Sequence, residues 1–247
     1  MTNLFSSNYL SRKPIEQAME EFSKNFSPEM KILDIGCGNK PYAGYFKCNY
    51  TGLDPFKDTK ADVIADAWNI PFPDNEFDGI ILNQSLEHIK KTKETISEIK
   101  RTLKPRGLCI VTVPQTMKNH SIPVPSQDIE LNNFDKNKIP YWNNDFYRFT
   151  KFGLIYLFRE FKIIDLKESN GYIGTMCQLS NYFLTSVSAI RKLFIPLYFL
   201  ANITGLTFDK LFQKLSTCHP IAKKFYELIY LSLTLNYILI IKNDDKK

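Results

Sequence analysis

Short apolar runs that end in acidic or turn-forming residues recur along the first 115 residues, and they constrain the fold more than any other feature of this sequence. Between the last two runs, the segment TKETISEIKRTLK (92–104) carries apolar residues at helical spacing and is followed by Pro105 and Gly107. Alternation of strands and helices predicts a parallel sheet with helices on both faces. The predicted strands are KILDI (31–35), YTGLD (50–54), DVIAD (62–66), FDGIILN (77–83) and LCIVTVP (108–114).

The second half of the chain departs from this rhythm. A polar segment containing prolines, 115–149, is expected to form a loop over the functional site within a core of residues 1–169. This core ends in a predicted helix, TKFGLIYLFREF (150–161), and a strand, KIIDLKES (162–169). An apolar helical insertion is predicted over 170–228, and residues 229–247 supply a final strand around NYILIIKN (236–243). The expected fold is therefore an α/β sheet of seven mostly parallel strands with a helical insertion before the last strand.

Two apolar runs in the second half, 193–206 and 228–241, are shorter than the roughly 20 residues that span a bilayer. We expect both to be buried helix or strand. The first run is expected to form mainly core and pocket wall, while peripheral contact with a membrane is a less favoured alternative.

Charge and cysteine content exclude several classes of protein. The 32 basic and 26 acidic residues give a net charge of +6, and the basic residues are too scattered to indicate nucleic-acid binding. The five cysteines form an odd set without a C-x-x-C pair, which argues against a disulfide framework and a zinc site. The amino terminus lacks the order of a signal peptide, so a cytoplasmic location is expected.

The turn after the first predicted strand reads DIGCGNKP (34–41). Gly36 and Gly38, on either side of Cys37, permit a tight turn and a close approach of a ligand to the backbone. A complete dinucleotide-binding fingerprint would place a third glycine at position 41, where this chain has Pro41. The motif therefore does not predict a pyrophosphate site.

Acidic residues end three neighbouring predicted strands. Asp34 directly precedes the glycines, Asp54 ends the second strand and Asp66 ends the third. The carboxyl ends of parallel strands meet at one edge of a sheet, where ligands bind. Three carboxylates there suit a ligand with hydroxyl groups and a cationic nitrogen.

The stretches LDIGCGNKPY, YTGLD, DVIADAWNIPFPDNEFDGIILNQSLEHI and LKPRGLCIVTVP, with a weaker match in DFYRFTKFGLIYLF, together resemble the class I S-adenosylmethionine-dependent methyltransferases. The resemblance is strongest to the branch that acts on sugars and other small molecules. It implies a Rossmann-like fold, S-adenosylmethionine as cofactor and S-adenosylhomocysteine as product. It also implies O-methylation of a small polar acceptor, such as a sugar, a nucleotide sugar or a phosphorylated precursor of a surface polysaccharide. Three alternatives remain open: N- or carboxyl-methylation of another metabolite, a dinucleotide-dependent oxidoreductase, and an inactive relative that only binds the cofactor.

The same resemblance implies roles for single residues. The glycine turn would hold the methionine end of the cofactor, and Asp54 would hold the two ribose hydroxyls. Asp66, with the backbone of Ala67 and the ring of Trp68, would bracket the adenine, and the end of the fourth strand would line the sulfonium. The family often has a glycine where this chain has Lys40. The implied cofactor-binding residues are Asp34, Gly36, Cys37, Gly38, Asp54, Asp66, Ala67, Asn83 and Gln84.

A general base is not specified by the resemblance. His88, in SLEHI, and His120, in the loop, are the candidate bases, and alignment of the reactants without a base is the alternative. Tyr147 and Arg148 complete the candidate catalytic set, and Arg148 could clamp a phosphate or carboxylate of the acceptor. A packing role for His88 and a surface ion pair for Arg148 remain open. No tight ligand spacing around His120 indicates a metal site, so none is predicted.

Overall fold

The computed structural model describes residues 2–117, 145–186, 192–218, 220–228 and 230–244. The strands are β1 (Lys31–Ile35), β2 (Asn49–Asp54), β3 (Val63–Ile64), β4 (Phe77–Asn83), β5 (Leu103–Pro114), β6 (Lys162–Glu168) and β7 (Asn236–Lys242). The helices are α1 (Tyr9–Ser23), α2 (Thr92–Thr102), α3 (Lys151–Leu157), α4 (Tyr172–Ser186), α5 (Ile195–Cys218) and α6 (Pro220–Leu228).

All seven strands form one sheet in the order β3-β2-β1-β4-β5-β7-β6. Strand β7 is antiparallel to both of its neighbours, and the other pairs are parallel. This confirms the prediction of a mostly parallel, Rossmann-like α/β sheet with a helical insertion before the last strand. The chain proceeds from β1 to one edge of the sheet and then returns to build β4 and β5 on the other side. Such a reversal opens a crevice at the carboxyl ends of β1 and β4.

Both faces of the sheet are buried, because consecutive strand residues point in opposite directions. On one face, Met19 of α1 packs with Ile32 of β1 and Ile81 of β4. On the other face, Leu33 of β1 belongs to the cluster that contains Ile99 of α2. Helices therefore cover both faces, as the strand–helix alternation predicts.

Three elements are shorter than the sequence predicts. Strand β3 has two residues rather than the five of DVIAD, and it lies at the edge of the sheet, where short strands are common. Helix α2 ends at Thr102 because Leu103 is extended, fully buried and already part of β5. Helix α3 ends at Leu157, since Phe158 and Phe161 beyond it turn into the core.

Helix α1 is absent from the sequence prediction. It contains Pro14 and a mixture of charged and apolar residues, so its local pattern is weak. Its buried residues nevertheless include Ile15, Met19 and Phe22, which pack on the sheet. Packing against the sheet, more than local propensity, accounts for this helix.

Buried amide side chains tie the insertion to the amino-terminal segment. Gln178 of α4 accepts a hydrogen bond from the backbone of Ser11 at 3.2 Å. Asn202 of α5 donates to the backbone oxygens of Leu4 and Ser6 at 2.8 and 3.0 Å. Helices α4 and α5 also contact each other and α1. The insertion therefore packs beside α1.

The expectation that the run 193–206 forms mainly core is wrong. Only Tyr198, Asn202 and Gly205 of helix α5 are buried. By contrast, Leu197 and Leu200 are 46% and 61% exposed. The helix contacts its neighbours along a narrow strip, where an added Cβ at Gly205 would lie 2.9 Å from Leu10. Within the described ranges, no helix is both long and apolar enough to cross a membrane.

Candidate functional site

The turn after β1 requires glycine for two different reasons. Gly36 and Gly38 have φ values of +70° and +48°, in the left-handed region that glycine adopts at little cost. A Cβ added at Gly36 would lie 2.4 Å from the Ser85 hydroxyl oxygen, whereas one added at Gly38 would meet nothing within 4 Å. Gly36 therefore also permits the close approach between the β1 turn and the segment after β4.

Replacement of Gly36 by alanine is expected to lower the free energy of unfolding by about 2 to 4 kcal/mol, because left-handed strain and overpacking add. Gly38→Ala is the matched control, with similar backbone strain but open space around the new methyl group. It is expected to cost about 1 kcal/mol. Urea unfolding of both variants measures the difference, and equal losses would show that contact with Ser85 is unimportant.

Lys40 stands where the family often has glycine, and its backbone has the left-handed conformation that glycine adopts readily. Its φ is +52°, and its N–H donates to the Cys37 carbonyl at 2.8 Å. Its ammonium pairs with Asp62. The turn therefore retains its shape without a third glycine.

Asp34 lies beneath the turn rather than in a cavity wall. It is 5% exposed, and the Tyr50 hydroxyl donates to its carboxylate. Burial raises the pKa of Asp34 to about 6, although the Tyr50 hydrogen bond and the nearby Lys40 charge oppose this shift. Cys37 is likewise buried.

A cavity of about 270 Å³ opens at the carboxyl ends of the strands. Asp54 and Asp66 lie in its wall beside Trp68, and its described lining residues include no Lys or Arg. The Asp54 carboxylate accepts hydrogen bonds from the backbone N–H groups of Gly38 at 3.0 Å and Phe56 at 3.1 Å. Each oxygen retains acceptor capacity for a ligand. This set of groups fits hydroxyl and amino groups beside an aromatic ring, and it does not fit a pyrophosphate.

The predicted cofactor-binding residues divide between this cavity and its surroundings. Gly38 borders the cavity through its hydrogen bond to Asp54. Asn83 faces a second cavity instead. The predicted residues that line the first cavity are Gly36, Asp54, Asp66, Ala67 and Gln84.

The second cavity, of about 370 Å³, shares Gln84 with the first. Gln84 has a φ of +49°, which is uncommon for a residue other than glycine and is typical of functional sites. Thr112 holds the end of β4: its hydroxyl donates to Asn83 at 2.7 Å and accepts from the Gln84 amide at 3.3 Å. Most of the other lining residues carry a polar or charged group. The other lining residues include Asn8, Ser11, Arg12, Tyr42, Glu87, Met117 and Tyr182.

Glu87 is the chemically unusual residue of the second cavity. Its side chain is 1% exposed, and its Oε2 atom has no hydrogen-bond partner among the described residues. Burial and the nearby Asp145 charge raise the pKa of Glu87 to about 8, against the opposing effects of its own backbone N–H and of Arg148. A carboxyl with a pKa near the working pH is suited to accept and release protons.

Glu87 is not among the residues predicted from the sequence, although the adjacent His88 is. The available signal was its position in SLEHI, just after β4, where polar side chains meet the ligand crevice. Arg12 and Tyr182 were also missed, because they come from α1 and α4 and reach the cavity only through tertiary packing.

The structure places His88 in the wall of the first cavity. Its Nε2 is 3.9 Å from Glu87 Oε1, and its Nδ1 is 3.7 Å from Asp145 Oδ1. Arg148 pairs with Asp145 at 2.7 Å, and the Tyr147 hydroxyl donates to the Lys90 carbonyl at 3.1 Å. Tyr147 and Arg148 therefore brace the segment around His88.

His120 lies outside the described residues, as does most of the loop expected to cover the site. Within the described ranges, no group of three or more His, Cys, Asp or Glu side chains is placed to hold a metal ion.

Comparison with known proteins agrees with this geometry. Residues 8–172 match the family described as Methyltransferase domain. Demethylmenaquinone methyltransferase of Symbiobacterium thermophilum is 40% identical over 53 residues, which cover 22% of this chain and 21% of that protein. Ubiquinone biosynthesis O-methyltransferase of Rickettsia bellii is 24% identical over 170 residues, which cover 61% of this chain and 68% of that protein.

Among solved structures, phosphoethanolamine N-methyltransferase 2 of Haemonchus contortus, in complex with S-adenosylmethionine, has the same fold. The TM-score is 0.54 at 17% sequence identity, over 94% of this chain and 52% of that one. The family match covers more than half of the chain and includes the glycine turn, the strand-end acids and the end of β4. The chain therefore belongs to the methyltransferase domain family, within the class I methyltransferases whose cofactor is S-adenosylmethionine.

Proposed function

We propose that this protein methylates an oxygen of a small polar acceptor, such as a sugar, a nucleotide sugar or a phosphorylated precursor of a surface polysaccharide. The observation that carries the proposal is the pair of cavities that share Gln84. One has carboxylates beside an aromatic ring, and the other is lined mostly by residues that carry hydroxyl, amide or charged groups. A transferase needs two adjacent sites so that donor and acceptor are aligned.

The first cavity is assigned to the cofactor. Asp54 would hold its ribose hydroxyls, and Asp66, Ala67 and Trp68 would surround its adenine. Gly36 and Gly38 would leave room for its methionine end, while the buried Asp34 supports the turn from below. When bound, S-adenosylmethionine supplies a methyl group that is already activated by the positive charge on sulfur.

The second cavity is assigned to the acceptor. Its amides and hydroxyls, on Asn8, Ser11, Asn83 and Tyr182, offer hydrogen bonds to a polyhydroxylated molecule. Arg12 also lines it and has no ion pair among the described residues, so it is suited to an anionic substituent of the acceptor.

We assign the general base to Glu87. As the acceptor oxygen takes the methyl group it must lose its proton, and the Glu87 carboxylate can accept it. The neighbouring His88 then serves to position this segment, held between Glu87 and Asp145. Arg148, through its pair with Asp145, supports the same arrangement.

Calorimetry and a methyl-transfer screen test the proposed function. We expect the protein to bind S-adenosylmethionine, not to bind NAD, and to transfer a radiolabelled methyl group to a member of a panel of sugar phosphates and nucleotide sugars. Alkali separates the products, because methyl ethers survive it and methyl esters do not. Binding of NAD instead would favour an oxidoreductase, and cofactor binding without transfer to any acceptor would favour an inactive relative.

A further inference from the structure

Exposed apolar residues of α5 form a stripe along one side of the helix, with Thr204 between its two halves. Leu197, Leu200, Phe208, Leu211 and Leu215 are each more than 40% exposed and recur at helical spacing on one side of the helix. Leu193, just before the helix, is 72% exposed and continues the stripe. These six residues are called the α5 stripe. The buried residues of α5 face away from it.

Exposed lysines border the α5 stripe on one side. Lys210 and Lys214 directly precede Leu211 and Leu215 in α5, so each lies about 100° around the helix from a stripe residue, in the same direction. Lys192 directly precedes Leu193 in the sequence, just before the helix begins. None of the three lysines has an ion pair among the residues that the structure describes. Long lysine side chains beside an apolar stripe can lie along apolar surface and still keep their ammonium groups in water.

Acidic groups do not balance these lysines. Residues 192–228 contain five lysines and two acids, Asp209 and Glu227. Asp209 accepts hydrogen bonds from the backbone N–H groups of Gly171 at 3.1 Å and Gly174 at 3.2 Å. Glu227 lies 3.9 Å from Lys223. The surface that carries the α5 stripe is therefore both apolar and cationic.

We propose that the α5 stripe docks on the surface of a bilayer that contains anionic lipids, with the helix lying in the interface. In the membrane interface, exposed leucines and phenylalanines can enter the boundary of the acyl chains while neighbouring lysines contact the headgroups. Anionic headgroups attract such lysines, whereas a second copy of this surface would bring lysines against lysines. Exposed apolar residues that are grouped and bordered by polar residues also mark interaction sites.

Sedimentation of the full chain with vesicles tests the docking without any measurement of methyl transfer. We expect binding to vesicles of phosphatidylcholine that contain phosphatidylglycerol in about one molecule of three, and weaker binding to phosphatidylcholine alone. Binding to the anionic vesicles is expected to fall as salt rises, because salt screens the lysines.

Leu200→Glu is expected to lower the partition coefficient by about tenfold or more, because it places a charge in the middle of the α5 stripe. Phe152→Glu is the matched control: Phe152 of α3 is 80% exposed, and this variant adds the same charge away from α5. It is expected to change binding by less than about twofold. The pair Lys210→Gln and Lys214→Gln, which leaves the apolar residues intact, is expected to weaken binding to anionic vesicles only.

Three results would overturn the proposal. The first is failure of the wild-type chain to bind either kind of vesicle, and the second is equal loss in Leu200→Glu and Phe152→Glu. The third is a dimer, seen by sedimentation velocity, that Leu200→Glu dissociates, since a second copy would then be the occupant of the α5 stripe.

Discussion

Glu87→Gln is expected to lower kcat by about 10²- to 10⁴-fold, the range associated with loss of a general base. Glutamine keeps the size of the side chain but cannot take the proton of the acceptor. Cofactor affinity is expected to change little, because Glu87 lines the second cavity rather than the first. Steady-state kinetics with an identified acceptor, together with calorimetry for S-adenosylhomocysteine, give both quantities.

The pH dependence identifies which group acts as the base. The pKa of Glu87 is raised to about 8, and the carboxylate is the active form, so wild-type activity is expected to rise with pH until it levels off above about pH 8. A histidine base with the pKa of a free imidazole would instead produce an inflection near about 6.5. Retention of the inflection near 8 in Glu87→Gln, or a loss of kcat below about fivefold, would remove Glu87 from the mechanism.

Stability separates a catalytic loss from an unfolded variant. A carboxyl whose pKa is higher in the folded chain favours folding most below its unfolded pKa of about 4.3, and this contribution declines as pH rises through its folded pKa. Above about pH 8 the wild-type chain must bury the charged form. Glu87→Gln is therefore expected to be at least as stable as wild type at alkaline pH, as measured by urea unfolding.

Asp54→Ala is expected to weaken binding of S-adenosylhomocysteine by about 2 to 4 kcal/mol, or about 30- to 1,000-fold, because two charge-assisted hydrogen bonds are lost. Part of the loss is indirect, since the Asp54 carboxylate also holds the backbone of Gly38 and Phe56. Asp54→Asn retains one acceptor oxygen and is expected to lose less affinity. Calorimetry on both variants measures the effect.

Asp58→Ala is the control for charge, because Asp58 is an exposed carboxylate in the wall of the same cavity. We expect its affinity to change by less than about threefold, as for an exposed charge. Unchanged affinity in Asp54→Ala would contradict the assignment of the first cavity to the cofactor. Thermal unfolding of each variant checks that the fold is intact.

The sequence alone predicted the edge of the sheet at which the two cavities open. Apolar runs such as KILDI and FDGIILN indicate strands that are buried on both faces of a parallel sheet. The carboxyl ends of parallel strands lie at one edge of the sheet. The glycine turn, Asp54 and Asp66 were therefore identifiable from strand ends, and the family resemblance added Gln84. The left-handed conformations at Gly36 and Gly38 were also predictable, because glycine is the residue type that adopts them readily.

Only the tertiary structure decided which strand-end groups face a ligand and which lie beneath the turn. Asp34 and Asp54 have the same local pattern, yet Tyr50 covers the first, while the second lines the cavity. The pKa of Glu87 likewise depends on the charges of Asp145 and Arg148, about 60 residues further along the chain. Contacts between residues so far apart in the chain produce no periodic pattern in a short segment of sequence.

The α5 stripe is a second case in which the local sequence does not specify which surface is buried. Leucines and phenylalanines at helical spacing predict an apolar face, but they do not specify whether that face meets the rest of the chain or the surroundings. Helix α5 contacts its neighbours through residues that include Tyr198, Asn202, Gly205 and Asp209, and these contacts turn the α5 stripe outward. The spacing of apolar residues thus determined the main strands and helices and the edge of the sheet at which the strands end. Long-range packing decided which surfaces are buried, because burial depends on partners that are distant in the sequence.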